Sequence, residues 1–137
     1  MNKFVTRFRA RYCETDAAGV IYYGSFFHYF EVGKMEMYRE LGLTYRYDIP
    51  IVETTCRYPA PAFYDDLLEI RTWFDDIREK DFRICSEVYR VEEDNRLVMV
   101  GEGYTNHVFI DDNRRPAKLP THYLDVFEKL RQEKAPG

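Results

Sequence analysis

The residues best able to do chemistry in this chain lie in one run, Tyr12-Cys13-Glu14-Thr15-Asp16-Ala17-Ala18-Gly19-Val20-Ile21-Tyr22-Tyr23-Gly24-Ser25. A polar strand end at Arg11 and Tyr12 enters a turn of Asp, Thr, Ala and Gly. Ser25, a residue type favoured at helix N-caps, then opens a segment that reads as helix to Leu41, with Gly42 as its stop. Asp16 therefore stands just ahead of a helix N-terminus, where unpaired backbone N–H groups and the positive end of the helix dipole gather. A carboxylate beside aimed N–H donors is what hydrolysis of an activated acyl group requires. The carboxylate attacks or activates water, and the donors hold the carbonyl oxygen as it gains charge. On residue types alone, a turn residue or an electrostatic cap is the commoner role for such an Asp.

The elements that must position Asp16 follow from periodicity. Phe4, Thr6, Phe8 and Ala10 alternate with Val5, Arg7, Arg9 and Arg11, which predicts a first strand with a basic face. From Phe26 to Leu41 the spacing becomes helical, with Phe26, Phe30, Gly33, Met37 and Leu41 on one stripe. Gly33 costs that helix about 1 kcal/mol relative to Ala, a cost that close approach to a sheet would offset. Ile49 to Tyr58 reads as a strand stopped by Pro59 and Pro61, and Asp65-Asp66 as a turn. Leu68 to Asp75, Phe82 to Tyr89 and Leu97 to Ile110 are further strands, the last two joined through Asp94-Asn95. Gly101 and Gly103 share a face that leaves room for a ring or a backbone. After Pro120, Thr121 is placed to cap a last amphipathic helix carrying Tyr123, Val126, Phe127 and Leu130.

Composition narrows the function class. Residues 1–137 read as a single domain of modest core. A net charge of −4 without a basic cluster argues against nucleic acid as a partner. Twelve Tyr and ten Phe exceed what a small core readily absorbs, so some rings are expected at a pocket or subunit interface. Cys13, Cys56 and Cys85 share no paired spacing and read as reduced thiols of a cytoplasmic protein. The N-terminus lacks the continuous apolar run of a signal peptide, and no segment approaches membrane-spanning length. His28, His107 and His122 have no ligand spacing, so no metal site is expected.

The string Asp16-Ala17-Ala18-Gly19-Val20-Ile21-Tyr22-Tyr23, followed by an aromatic helix carrying Glu31, resembles the signature of the 4-hydroxybenzoyl-CoA thioesterase family of hotdog-fold proteins. That family includes the acyl-CoA thioesterases associated with the Tol–Pal system. The likeness runs on through Tyr58-Pro59-Ala60-Pro61, Tyr64-Asp65-Asp66 and the three long strands, over nearly the whole chain. It implies an α+β hotdog fold, an antiparallel sheet wrapped around one long central helix. It implies an acyl-CoA thioesterase with Asp16 as catalytic carboxylate, nucleophile or general base, and the Tyr23 backbone N–H as oxyanion donor.

Tyr12, Thr15 and Gly19 would support the carboxylate, and Tyr22, Phe26, Phe27 and Phe30 would line the substrate pocket. The family often has Asn-Tyr where this chain has Ser25-Phe26; Ser keeps the capping oxygen, whereas Phe26 lacks a hydroxyl. Arg78 and Lys80, with Arg57 as the alternative, would meet the CoA phosphates. No cofactor is implied. A homodimer or homotetramer with active sites between subunits is. Acyl carrier protein thioesters or dihydroxynaphthoyl-CoA remain open as substrates, as does a non-catalytic acyl-CoA-binding role on the same fold.

Overall fold

The computed structural model describes residues 2–134. Its elements are β1 (Phe4–Arg9), a 3-10 turn (Tyr12–Glu14), α1 (Ser25–Leu41), β2 (Ile51–Arg57), β3 (Leu67–Asp75), β4 (Asp81–Val91), β5 (Leu97–Val108) and α2 (Thr121–Lys134). The strands form a sheet in the order β1-β3-β4-β5-β2, and every pairing is antiparallel. Leu68, Ile70, Thr72 and Phe74 of β3 and Phe82, Ile84, Ser86 and Val88 of β4 are all buried. Their alternation with partly exposed neighbours is the period of two that fixes which face of the pleat meets the core. Glu69 breaks the pattern by being buried too, held by Arg7 and Arg71 at 2.9 and 2.8 Å.

Helix α1 packs on β1, β3 and β4. Gly33 makes this possible: a Cβ there would stand 2.3 Å from Thr72 Oγ1 and 2.8 Å from an Ile70 methyl. Gly101 does the same for a side chain, since a Cβ would lie 2.5 Å from the Phe26 ring. At Gly103 the neighbour is the β2 backbone itself. Gly42 ends α1 in the left-handed conformation, with its N–H turned back to the Arg39 and Tyr38 carbonyls.

Two clusters of buried side chains result. One, around Phe26, Tyr29, Phe30, Leu68 and Val100, supports the N-terminal end of α1. The other joins Met37 and Tyr38 to Phe74, Phe82 and the α2 residues Tyr123, Val126, Phe127 and Leu130.

Several boundaries differ from expectation. Strand β2 begins at Ile51 and β5 ends at Val108, because the segments around them pair with loops instead. Thr121 is the first helical residue of α2 rather than a cap before it, and Leu124 N–H bonds the Pro120 carbonyl. Ser25 likewise lies inside α1, and Gly24 occupies the N-cap without a side-chain cap bond. No helix among the described residues is long and apolar enough to cross a membrane.

His107 is buried, stacks on Phe82 at 4.9 Å and contacts the Thr105 hydroxyl through Nε2 at 2.8 Å. Burial, with the charge of Lys34 second, pushes its imidazole down to about 3 from 6.5. Between those values the unfolded chain binds the extra proton, so stability present above pH 6.5 is lost as pH falls toward 3. The slope from this one group is at most about 1.4 kcal/mol per pH unit. Urea unfolding of the parent should therefore weaken from pH 7.5 to 5 more steeply than that of His107→Gln. Parallel pH dependences would exclude His107 as the responsible group.

Candidate active site

The loop that carries Asp16 is closed by its own backbone. Asp16 N–H donates to Val20 O at 2.8 Å, Gly19 N–H donates to Asp16 O at 3.0 Å, and a bridge pairs Thr15 with Ile21. Gly19 sits at φ +84° with open space where a Cβ would be, so the backbone conformation, and not crowding, requires glycine. Asp16 Oδ1 accepts the Ala18 N–H at 2.8 Å, while Oδ2 has no partner among the described residues. The side chain is thus oriented by one oxygen and presents the other.

A second set of bonds ties this loop to α1. Glu14 is buried, and its carboxylate accepts the Arg11 N–H at 2.7 Å, Arg11 Nε at 2.9 Å and the Tyr29 hydroxyl at 3.0 Å. Burial, then the bond to Glu14, pushes the Tyr29 phenol well above its usual range and keeps it a donor. The Glu14 carbonyl accepts the Tyr22 N–H at 2.8 Å and the Ser25 hydroxyl at 3.1 Å. Ser25 therefore spends its oxygen anchoring the preceding loop, not capping the helix. The N–H groups of Ser25, Phe26 and Phe27 bond the carbonyls of Tyr22, Tyr23 and Gly24. Two donors remain: the N–H groups of Tyr23 and Gly24 have no acceptor among the described residues. They lie at the positive end of a seventeen-residue helix.

The opposite wall comes from the β2–β3 connection. Ile21 N–H donates to Ala62 O at 2.8 Å, and Val20 bridges Phe63, which holds Tyr58 to Ala62 against the Asp16 loop. Between them is a cleft of about 360 Å³ lined by Asp16, Val20, Ile21, Tyr23, Phe26 and Tyr58 through Ala62. The aromatic residues expected around one pocket are divided by the structure. Phe26 lines this cleft, whereas Phe27 and Phe30 line a separate cavity of about 220 Å³ with His28, Glu31, Lys34, Ile51 and Thr54. Tyr22 lines neither, and its ring packs on Tyr23 at 4.4 Å. Tyr12 is exposed against Tyr64, and the Thr15 hydroxyl bonds the Tyr12 carbonyl at 2.7 Å.

The basic residues lie apart from the cleft lining. Arg78 is committed to Asp76 at 2.9 Å and approaches Asp81 at 3.7 Å. Lys80 is exposed and has no ion pair among the described residues. Arg57 pairs loosely with Glu102 at 3.6 Å and directly precedes the cleft wall at Tyr58. Among the described residues no group of His, Cys, Asp and Glu could hold a metal ion.

Glu14, Tyr29 and Tyr58 are the site-building residues that sequence reasoning missed. Only the Arg11-x-x-Glu14 spacing and the place of Tyr29 three residues after Phe26 on α1 hinted at two of them.

An antiparallel sheet wrapped around a long helix, with an acidic loop at the helix start, defines a hotdog-fold protein. The chain belongs to the thioesterase-like superfamily, whose profile matches residues 11–129. It is similar to the acyl-CoA thioester hydrolase YbgC of Escherichia coli, at 27% identity over 88% of this chain and 92% of that protein. Among solved structures it is similar to the DHNA-CoA thioesterase of Staphylococcus aureus, with a TM-score of 0.84 and 25% identity over 96% of this chain and 93% of that one. The 4-hydroxybenzoyl-CoA thioesterase of Pseudomonas sp. strain CBS-3 shares the fold, with a TM-score of 0.79 and 22% identity over 92% of this chain and 99% of that one.

Glu14→Gln keeps the shape of the buried clamp but, with Oε1 still serving the Arg11 N–H and Tyr29, turns a donor toward the Arg11 guanidinium. A mispaired buried polar group costs about 1–3 kcal/mol. The variant should lose that much unfolding free energy in a urea titration. Unchanged stability would remove Glu14 as the anchor of the loop.

Proposed function

We propose that the protein is an acyl-CoA thioesterase, converting R–CO–S–CoA and water to R–COOH and CoA. The observation that carries this reading is the shared cleft of Asp16 and Tyr23, with a free carboxylate oxygen and an open backbone N–H at a helix start. Membership of the thioesterase-like superfamily and similarity to an acyl-CoA thioester hydrolase over most of both chains support it. Asp16 acts on the thioester carbon, either directly or through a water it deprotonates. The Tyr23 N–H takes the negative charge that builds on the carbonyl oxygen. Collapse of the tetrahedral centre breaks the C–S bond and releases CoA. On the water route this gives R–COOH at once; on the direct route it leaves an acyl–Asp16 anhydride, which water then hydrolyses to R–COOH and free Asp16. Both routes need a charged carboxylate at this place.

Phe26, Tyr58, Pro59 and Pro61 bound the cleft with rigid rings, so short aliphatic or aryl groups are the preferred acyl parts. Arg57 and Lys80 are the cations most available to the CoA phosphates, whereas Arg78 would first have to leave Asp76 and Asp81.

A thiol-release assay over CoA esters of increasing length tests the reading. The parent should turn over short or aryl esters best, and Asp16→Asn should lose at least a hundredfold in kcat while unfolding like the parent. Loss of folding in Asp16→Asn would point to the turn role. Activity only toward acyl carrier protein thioesters would favour that carrier, and dominance of dihydroxynaphthoyl-CoA in the panel would narrow the acyl group.

We further infer a homodimer. Strand β2 is an unpaired edge with Ile51 and Val52 at 50% and 61% exposure. Phe27 exposes further apolar surface on α1 and lines a cavity with Ile51. An edge of this kind pairs with another chain unless it is covered. A second copy would also close the cavity that Phe27, Phe30 and Ile51 line. Three free cysteines fit a cytoplasmic location. Light scattering should give twice the chain mass or a multiple of it. A monomer at micromolar concentration would reject the dimer.

A further inference from the structure

Resting on the thioesterase reading, we propose that Tyr58 is a positioning residue of the oxyanion site, and that the Gly24 N–H is a second donor beside that of Tyr23. The Tyr58 hydroxyl donates to the Tyr23 carbonyl at 3.0 Å. That carbonyl belongs to the same peptide unit as the Gly24 N–H, one of the two donors without an acceptor at the start of α1. A hydrogen bond accepted by an amide oxygen polarises its N–H, by about 10–30% per bond in condensed phases. Tyr58 therefore both fixes the plane of the Tyr23–Gly24 peptide and strengthens the donor that this plane aims outward.

The packing around Tyr58 supports a built contact. Its ring meets Phe26 edge-on at 5.1 Å and Tyr23 at 6.4 Å, and all three line the cleft with Asp16. Partial burial, with Cys56 second, pushes the phenol up to about 12, so it remains a donor at neutral pH. The rest of the helix start is held from the other side. Tyr22 N–H bonds Glu14 O, and the Tyr22 carbonyl accepts Ser25 N–H. The Tyr23 carbonyl otherwise has only the Phe26 N–H, at a long 3.3 Å. Without Tyr58, that one weak bond alone would orient the Tyr23–Gly24 peptide. Gly24 is also where bulk is excluded, since a Cβ would stand 2.7 Å from the Tyr22 ring. Its glycine identity thus serves packing of the Tyr22 ring.

The variant Tyr58→Phe keeps the ring and removes only the hydroxyl. Steady-state kinetics on a short acyl-CoA should show kcat down roughly three- to tenfold, with KM and product inhibition by CoA within about twofold of the parent. In 15N-glycine-labelled protein, the Gly24 amide proton should move upfield in the variant while the glycines of β5 stay put. An active parent with an unchanged kcat in the variant overturns the role of Tyr58 and leaves the hydrolase reading standing. A fall in kcat together with a lowered unfolding midpoint and an unshifted Gly24 amide also overturns it, because that pattern marks packing alone. A parent inactive on every thioester refutes the hydrolase reading and with it any part of Tyr58 in the reaction.

Discussion

The buried carboxylate of Glu14 is the constraint on which the site depends. A charge taken out of water is tolerated only when its oxygens are met by good donors, and here Arg11 and Tyr29 supply them. Tyr29 is fully buried in α1, so the bond fastens the Asp16 loop to the helix body and not to its frayed edge. The carbonyl of the same residue fastens Tyr22 and Ser25. One residue therefore sets the separation of the carboxylate loop and the helix start from two directions.

That anchoring explains why the helix start is left without a cap. A Ser, Thr or Asp side chain at the N-cap would reach the N–H of Phe26 or Phe27 and hold the first turn. Gly24 at that position cannot do so, and Ser25 is drawn away by the Glu14 carbonyl. The missing cap costs α1 some local stability, which burial of Phe26, Tyr29, Phe30, Met37 and Tyr38 offsets. Asp16 follows the same logic. One oxygen is spent on orientation by Ala18 N–H, and the other has no partner among the described residues.

The large aromatic content resolves into three uses. Tyr29, Phe74, Phe82, Tyr123 and Phe127 are core. Phe26, Tyr23 and Tyr58 form the cleft wall, and Phe27 with Phe30 borders a second cavity along α1 and β2. The bare β2 edge exposes Ile51 and Val52, and Phe27, itself exposed on α1, lines the second cavity with Ile51. Basic residues that look available in sequence are partly neutralised in space, Arg78 most of all, by carboxylates two and three positions away.

The local pattern alone determined the elements. Alternation over β3 and β4 and the helical stripe of α1 mark most of the buried face, though Glu69, Tyr29 and Tyr38 are buried outside the pattern, and Gly33 and Gly101 mark two close approaches. Gly42 and Gly19 mark where the chain needs a left-handed conformation. The place of Asp16 just ahead of the α1 start was legible because its turn and the helix that follows are contiguous in the chain. What only the tertiary structure decided are contacts between segments far apart in sequence. Tyr58 reaches Tyr23 across thirty-five positions, Ala62 receives the Ile21 N–H, and Phe27 and Phe30 turn to a different cavity from Phe26. Whether Ser25 caps the helix or bonds Glu14 was equally beyond the sequence. Both are satisfied hydroxyls of similar energy, and the choice falls to whichever acceptor or donor the fold brings within reach.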